Sequence, residues 1–176
     1  WSSFSPYLIK NYSFNKGESA FIFGTAIISF TIMMIFAGKI LQSYGPKITA
    51  IIGAILYGTG YVLASYSGGS FFVILISLGI LTGSGIGFGY VCPLASGIKW
   101  FPNNRGLVTG IAVAGFGGGA VLLSFLANSF LKQTDILIFF KYYGISASAV
   151  LLAASSFLAF PKHKKKEVQE SKEIKI

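Results

Sequence analysis

Residues 48–98 read ITAIIGAILYGTGYVLASYSGGSFFVILISLGILTGSGIGFGYVCPLASGI, 51 positions without one charged side chain. As a single helix they would extend about 76 Å at 1.5 Å per residue. The hydrocarbon core of a bilayer is about 30 Å thick, and about 20 residues cross it. The stretch is too long for one crossing and suits two. Its one obvious turn is Ser67-Gly68-Gly69-Ser70, where glycine permits the left-handed backbone of a tight reversal. The reading is a helical hairpin with spans near 48–66 and 71–97.

The rest of the chain repeats the pattern. Residues 19–38, 106–131 and 142–161 are also charge-free, so all 19 charges of the 176 residues fall in the other 59 positions. Spans are expected near 19–41, 106–131 and 142–160. Residues 1–9 (WSSFSPYLI) read as the end of a span that starts upstream, since no initiator Met precedes Trp1; removal of a signal peptide is the alternative. The fold class is an all-α membrane protein. Residues 1–161 form a bundle of five full transmembrane helices plus the end of a first one, and 162–176 form a basic tail.

Lysine and arginine set the orientation, because cytoplasmic joints carry the excess. Joints 39–47, 99–105 and the tail fall on one side with ten; 10–18, 67–70 and 132–141 fall on the other with four. The tail decides the count and is expected in the cytoplasm of an integral protein of the cell membrane. The net charge of +9 does not signal nucleic acid. Its densest cluster, Lys162 to Lys166 with His163, follows an apolar span as juxtamembrane anchors do, and no folded polar surface remains to carry a DNA-binding patch. One cysteine, Cys92, excludes a disulfide framework.

Chemistry within the spans is equally bounded. They hold no His, Asp or Glu, so no catalytic triad can be drawn there and no enzyme is expected. The same lack leaves no intramembrane proton relay. His163 and Cys92 lie at different depths without partners at ligand spacing, so no metal or cofactor is expected. The string GFGGGA at 115–120 fits a dinucleotide pattern, yet it sits inside a span with no strand before it.

The glycines are patterned. Gly79, Gly83 and Gly87 recur every four residues, with Gly85 and Gly89 on the nearly opposite face. A helix small on two sides can approach two neighbours closely. Gly106, Gly110, Ala114 and Gly118 repeat the step in the next span, and helix packing is the plain reading for both sets.

Residues 38–47 (GKILQSYGPK) resemble the loop signature of the major facilitator superfamily, G-x-L-x-D-R-x-G-R-K, with Gly38, Gly45 and Lys47 in register. Residues 90–120 (YVCPLASGIKWFPNNRGLVTGIAVAGFGGGA) resemble the fourth-to-fifth helix region of the oxalate/formate antiporter branch, akin to the monocarboxylate transporters. The opening WSSFSPYL is similar to the end of that branch's first helix. The resemblance implies the N-terminal six-helix half of a twelve-helix carrier, with residues 162–176 as the start of the loop between halves, a C-terminal half as missing partner and a small organic anion as substrate. It further implies alternating access about a midplane site, and substrate-holding basic residues in the other half. The gating loop would comprise Gly38, Gln42, Gly45 and Lys47, with Lys99 and Arg105 on the next joint. Gln42 stands where the signature has its acid and Ser43 where it has a base, which puts the latch in doubt.

Helix rise places Tyr90 about 13–14 Å inward from Lys99, with Gly115 and Tyr57 each about 15 Å from Arg105 and Lys47. All three lie near the midplane and are candidate substrate-binding positions. A phenol in hydrocarbon needs a partner, either a bound carboxylate or a neighbouring helix; for Tyr57 the neighbouring helix is favoured, since the resemblance makes the third span peripheral. Pro93 predicts a kink near Tyr90. Tyr66, Tyr142 and Tyr143 read as interfacial anchors. A carrier of a sugar or a drug, and a non-transporting assembly subunit, fit the same residues.

Overall fold

The computed structural model describes residues 1–131 and 133–160; the basic tail and its His163 lie outside them. The described residues are helical and include no strand. They form α1 (Ser5–Tyr12), α2 (Lys16–Ser65), α3 (Phe71–Ile74), a π-helical segment (Leu75–Thr82), α4 (Gly83–Trp100), a 3-10 turn (Pro102–Asn104), α5 (Arg105–Phe130) and α6 (Ile136–Ser155).

Local chemistry explains the boundaries. At the start of α2 the Asn15 side chain accepts from the Glu18 amide at 2.7 Å, and the Glu18 carboxylate accepts from the Asn15 amide at 2.9 Å. This reciprocal pair satisfies two of the amides a helix start leaves unbonded. The 50-residue α2 breaks at Gly45 (φ 82°, ψ 173°), a conformation essentially confined to glycine. Pro46 disfavours helix at the residue before it, and the Thr49 hydroxyl donates to the Gly45 carbonyl at 2.8 Å. The break divides α2 into limbs 16–44 and 46–65. The reversal at 67–70 uses Gly68 and Gly69 at positive φ, with Ser70 N donating to the Ser67 carbonyl at 3.0 Å.

Four helical runs, Lys16–Ser65, Phe71–Trp100, Pro102–Phe130 and Ile136–Ser155, are long and apolar enough to cross a membrane. With the first divided at Gly45, the described residues hold five long helices, and the chain is a multi-pass membrane protein.

One expectation needs correction. The last helix starts at Ile136, six residues before the charge-free stretch, because Asp135 caps it by accepting from Leu137 N at 2.7 Å. Lys141 is carried on its exposed side, 5.5 Å from the Tyr66 ring centroid. Pro93 lies inside α4, which runs from Gly83 to Trp100. A further irregularity comes earlier, in the π segment, where the Thr82 hydroxyl donates five residues back to the Ser77 carbonyl at 3.0 Å.

The packing is a sandwich set by small residues. A Cβ at Gly83 or Gly87 would meet the carbonyls of Ala26 and Phe30 at 2.6 and 2.7 Å, and one at Gly79 would meet Thr25 at 3.2 Å. That face lies on the first limb of α2. On the opposite face a Cβ at Gly85 would meet Tyr57 N at 2.5 Å and the Gly53 carbonyl at 2.8 Å, in the second limb. The second limb turns its far side to α6, where Gly58 faces Ser148 and the Ser148 hydroxyl donates to the Ala54 carbonyl at 3.0 Å. Helix α5 is different. Only Ala127 is buried in it, and a Cβ at Gly106, Gly110 or Gly118 would meet nothing within 4 Å. Their four-residue step makes no helix contact within the described chain.

Candidate functional site

Tyr90 joins three helices through its ring. On α4 it stands edge-to-face with Phe30 of the first α2 limb (5.9 Å, 73°) and with Phe116 of α5 (5.7 Å, 80°). Edge-to-face pairs are the favoured aromatic geometry, so the two flanking rings fix the plane of the phenol. Tyr90 is part-buried. Ser96 Oγ is the one buried side-chain polar atom without a partner among the described residues. The Tyr90 hydroxyl is bonded to no described residue. Gly115 lies beside Phe116 on α5, exposed, with nothing within 4 Å of an added Cβ. Phe116 is itself exposed. The surface at this level thus combines aromatic edges, one phenol and bare helix backbone.

Tyr57 does not join this group. Its hydroxyl lies 2.9 Å from that of Tyr143 on α6, and its ring is 5.0 Å from Tyr61. The three phenols form a cluster between the second α2 limb and α6, with Phe139 stacked on Tyr143 at 5.5 Å and 7°. Tyr143 lies seven residues, about two turns, from the start of α6, and it is Tyr57 that partners its hydroxyl there. Tyr66 and Tyr142 are 69% and 70% exposed.

Of the residues expected to form a gating loop, Gly38, Gln42, Gly45 and Lys47 lie at or near the α2 break. Gly45 is the break; Gln42 and Lys47 are exposed on either side, and Gly38 has nothing within 4 Å of an added Cβ. On the next joint Arg105 Nε donates to the Pro102 carbonyl at 3.1 Å, and Lys99 Nζ stands 3.5 Å from the Phe160 ring centroid. Sequence reasoning missed Phe30, Phe116 and Tyr143. All three are aromatic residues in apolar helices, and nothing local distinguishes them from lipid-facing ones.

The profile of the Major Facilitator Superfamily matches residues 1–175. Among curated relatives, the uncharacterized MFS-type transporter YhjX of Escherichia coli is 28% identical over 158 residues, which is 90% of this chain and 39% of that protein. Apicoplast pyruvate carrier 1 of Toxoplasma gondii is 33% identical over 68% of this chain and 22% of that one. The oxalate:formate antiporter of Oxalobacter formigenes is 27% identical over 70% and 29%. The aligned part of the chain spans less than two-fifths of each of these relatives. A profile match over nearly every residue, on a chain whose described residues fold mainly as apolar helices, shows that this protein belongs to the Major Facilitator Superfamily.

Proposed function

We propose that the chain is the N-terminal half of a carrier that moves small organic anions, mono- or dicarboxylates, across the cell membrane by alternating access. The observation that carries the reading is the Tyr90 hydroxyl, held in plane by Phe30 and Phe116 and bonded to no described residue. A phenol donates one hydrogen bond, and a carboxylate oxygen is a strong acceptor for it, since bonds to a charged acceptor are about twice as strong as neutral ones. The names of two relatives, a pyruvate carrier and an oxalate:formate antiporter, agree with this substrate class. The bare backbone at Gly115 gives the substrate, or a second half, close approach to α5. The negative charge of the substrate is balanced by basic residues of the other half, as the branch resemblance implies. Residues 162–176 lie on the cytoplasmic side in this scheme. The test is counterflow into liposomes holding the full-length carrier and loaded with unlabelled oxalate, formate or pyruvate. Saturable uptake of the matching labelled carboxylate, with no uptake of labelled glucose under glucose loading, supports the reading; glucose counterflow without carboxylate counterflow refutes it.

A further inference from the structure

Helix α6 ends at Ser155, but the next residues stay on the bundle. The amides of Ser156, Phe157 and Leu158 donate to the carbonyls of Ala153, Ala154 and Ser155 at 3.1–3.2 Å and turn the chain. The Ala159 carbonyl then accepts from Trp100 Nε1 at 2.8 Å. Phe160 lies under Lys99, whose Nζ is 3.5 Å from the ring centroid. Leu158 and Phe160 pack against the cluster of Leu41, Ala50 and Cys92. Leu41 precedes the Gly45 break and Ala50 follows it, while Cys92 on α4 is fully buried. One five-residue segment thus rests on the joint of α2 and on the helix beside it.

The attachments are slight compared with the sandwich above them. Among the described residues they are one hydrogen bond from an exposed indole, one cation–π contact from an exposed lysine, and two partly buried side chains. Phe157 contributes nothing, being 88% exposed. Segments with few buried contacts open at far lower cost than the helices they cover. We propose that residues 156–160 are a strap that closes over Cys92 and the Gly45 joint, and that it opens as a unit while the bundle stays folded. Its consequence for gating, freeing the loop 38–47, rests on the carrier reading; the opening itself does not.

Cys92 reports the opening. In the full-length carrier, with Cys92 as its one remaining cysteine, the labelling rate by a membrane-permeant maleimide follows the open population. Trp100→Phe keeps an aromatic ring and removes the donor to Ala159. Phe160→Ala removes the ring beneath Lys99. Loss of one neutral hydrogen bond raises the labelling rate about five-fold in Trp100→Phe, and Phe160→Ala raises it at least as much. The melting midpoint of both variants stays within about 1 °C of the parent, because the bundle is untouched. Labelling at the parent rate in both variants overturns the strap. So does labelling that rises only as far as a fall in the melting midpoint accounts for.

Discussion

Replacing Gly85 by alanine tests the helix sandwich where an added Cβ would come closest to a neighbouring backbone. The added Cβ would lie 2.5 Å from Tyr57 N, 2.8 Å from the Gly53 carbonyl oxygen and 2.9 Å from Tyr57 Cα. Ordinary contact begins near 3.4 Å, so α4 and the second α2 limb must separate by about 0.9 Å. All three obstructing atoms are backbone, so no rotamer change relieves the clash. A gap of that size forfeits a quarter to a half of the dispersion energy along the seam, and small-to-large changes in packed interiors cost about 1–3 kcal/mol. The upper end applies here, which corresponds to a fall of about 3–5 °C in the melting midpoint of the full-length carrier. The control is Gly24→Ala, in the first α2 limb, where a Cβ meets nothing within 4 Å. Alanine is about 1 kcal/mol the better helix former, so this change leaves the midpoint unchanged or raises it. Fluorescence-monitored melting of the full-length carrier in detergent reads both. A Gly85→Ala midpoint within 1 °C of the parent would refute the close approach of the two helices.

Other consequences can be checked together. Tyr57→Phe and Tyr143→Phe each remove the hydroxyl contact at 2.9 Å and cost about 1 kcal/mol; the double variant costs no more than either single one, and additive losses in a melting-based mutant cycle would show that the phenols are not partnered. Gln42→Asp restores an acid beside the Gly45 break, and the stronger charge-assisted contact shifts the carrier toward outward-open. Labelling of a cytoplasmic-cavity cysteine falls in that variant, and unchanged or increased labelling counts against a latch at Gln42. Cysteines at Ser13 and Ser171, in a background without Cys92, report topology to an impermeant thiol reagent on intact cells. Ser13 labels and Ser171 does not, whereas the reverse overturns the charge-based orientation.

Much of the fold is legible in the sequence because the bilayer imposes a length on each helix. The charge-free run at 48–98 can only be a hairpin, and its turn stands where Gly68 and Gly69 take positive φ. The four-residue step of Gly79, Gly83 and Gly87, with Gly85 behind it, already describes a helix between two neighbours. The start of α6 is hidden, because a charge count treats Lys141 as a barrier whereas the helix needs only an outward-facing position for it and a cap at Asp135. The π segment leaves no compositional mark; it is visible only once Thr82 reaches back five residues. For α5, spacing shows that a small face exists but not what lies against it. At the candidate site, Tyr90 emerges from depth arithmetic alone. Its partners Phe30 and Phe116 come from distant helices, and no single sequence pairs them.

The account turns on what the Tyr90 hydroxyl is for. Tyr90→Phe keeps the ring between Phe30 and Phe116 and deletes one donor, so folding and surface expression stay at the parent level. Equilibrium binding of the carboxylate active in counterflow, measured on purified full-length carrier, is the decisive measurement. Loss of a hydrogen bond to a charged group, about 1.5–3 kcal/mol, weakens binding about 10- to 150-fold. A Tyr90→Phe carrier that binds the carboxylate as tightly as its parent would make Tyr90 a packing tyrosine and remove the central support for an anion site at this position.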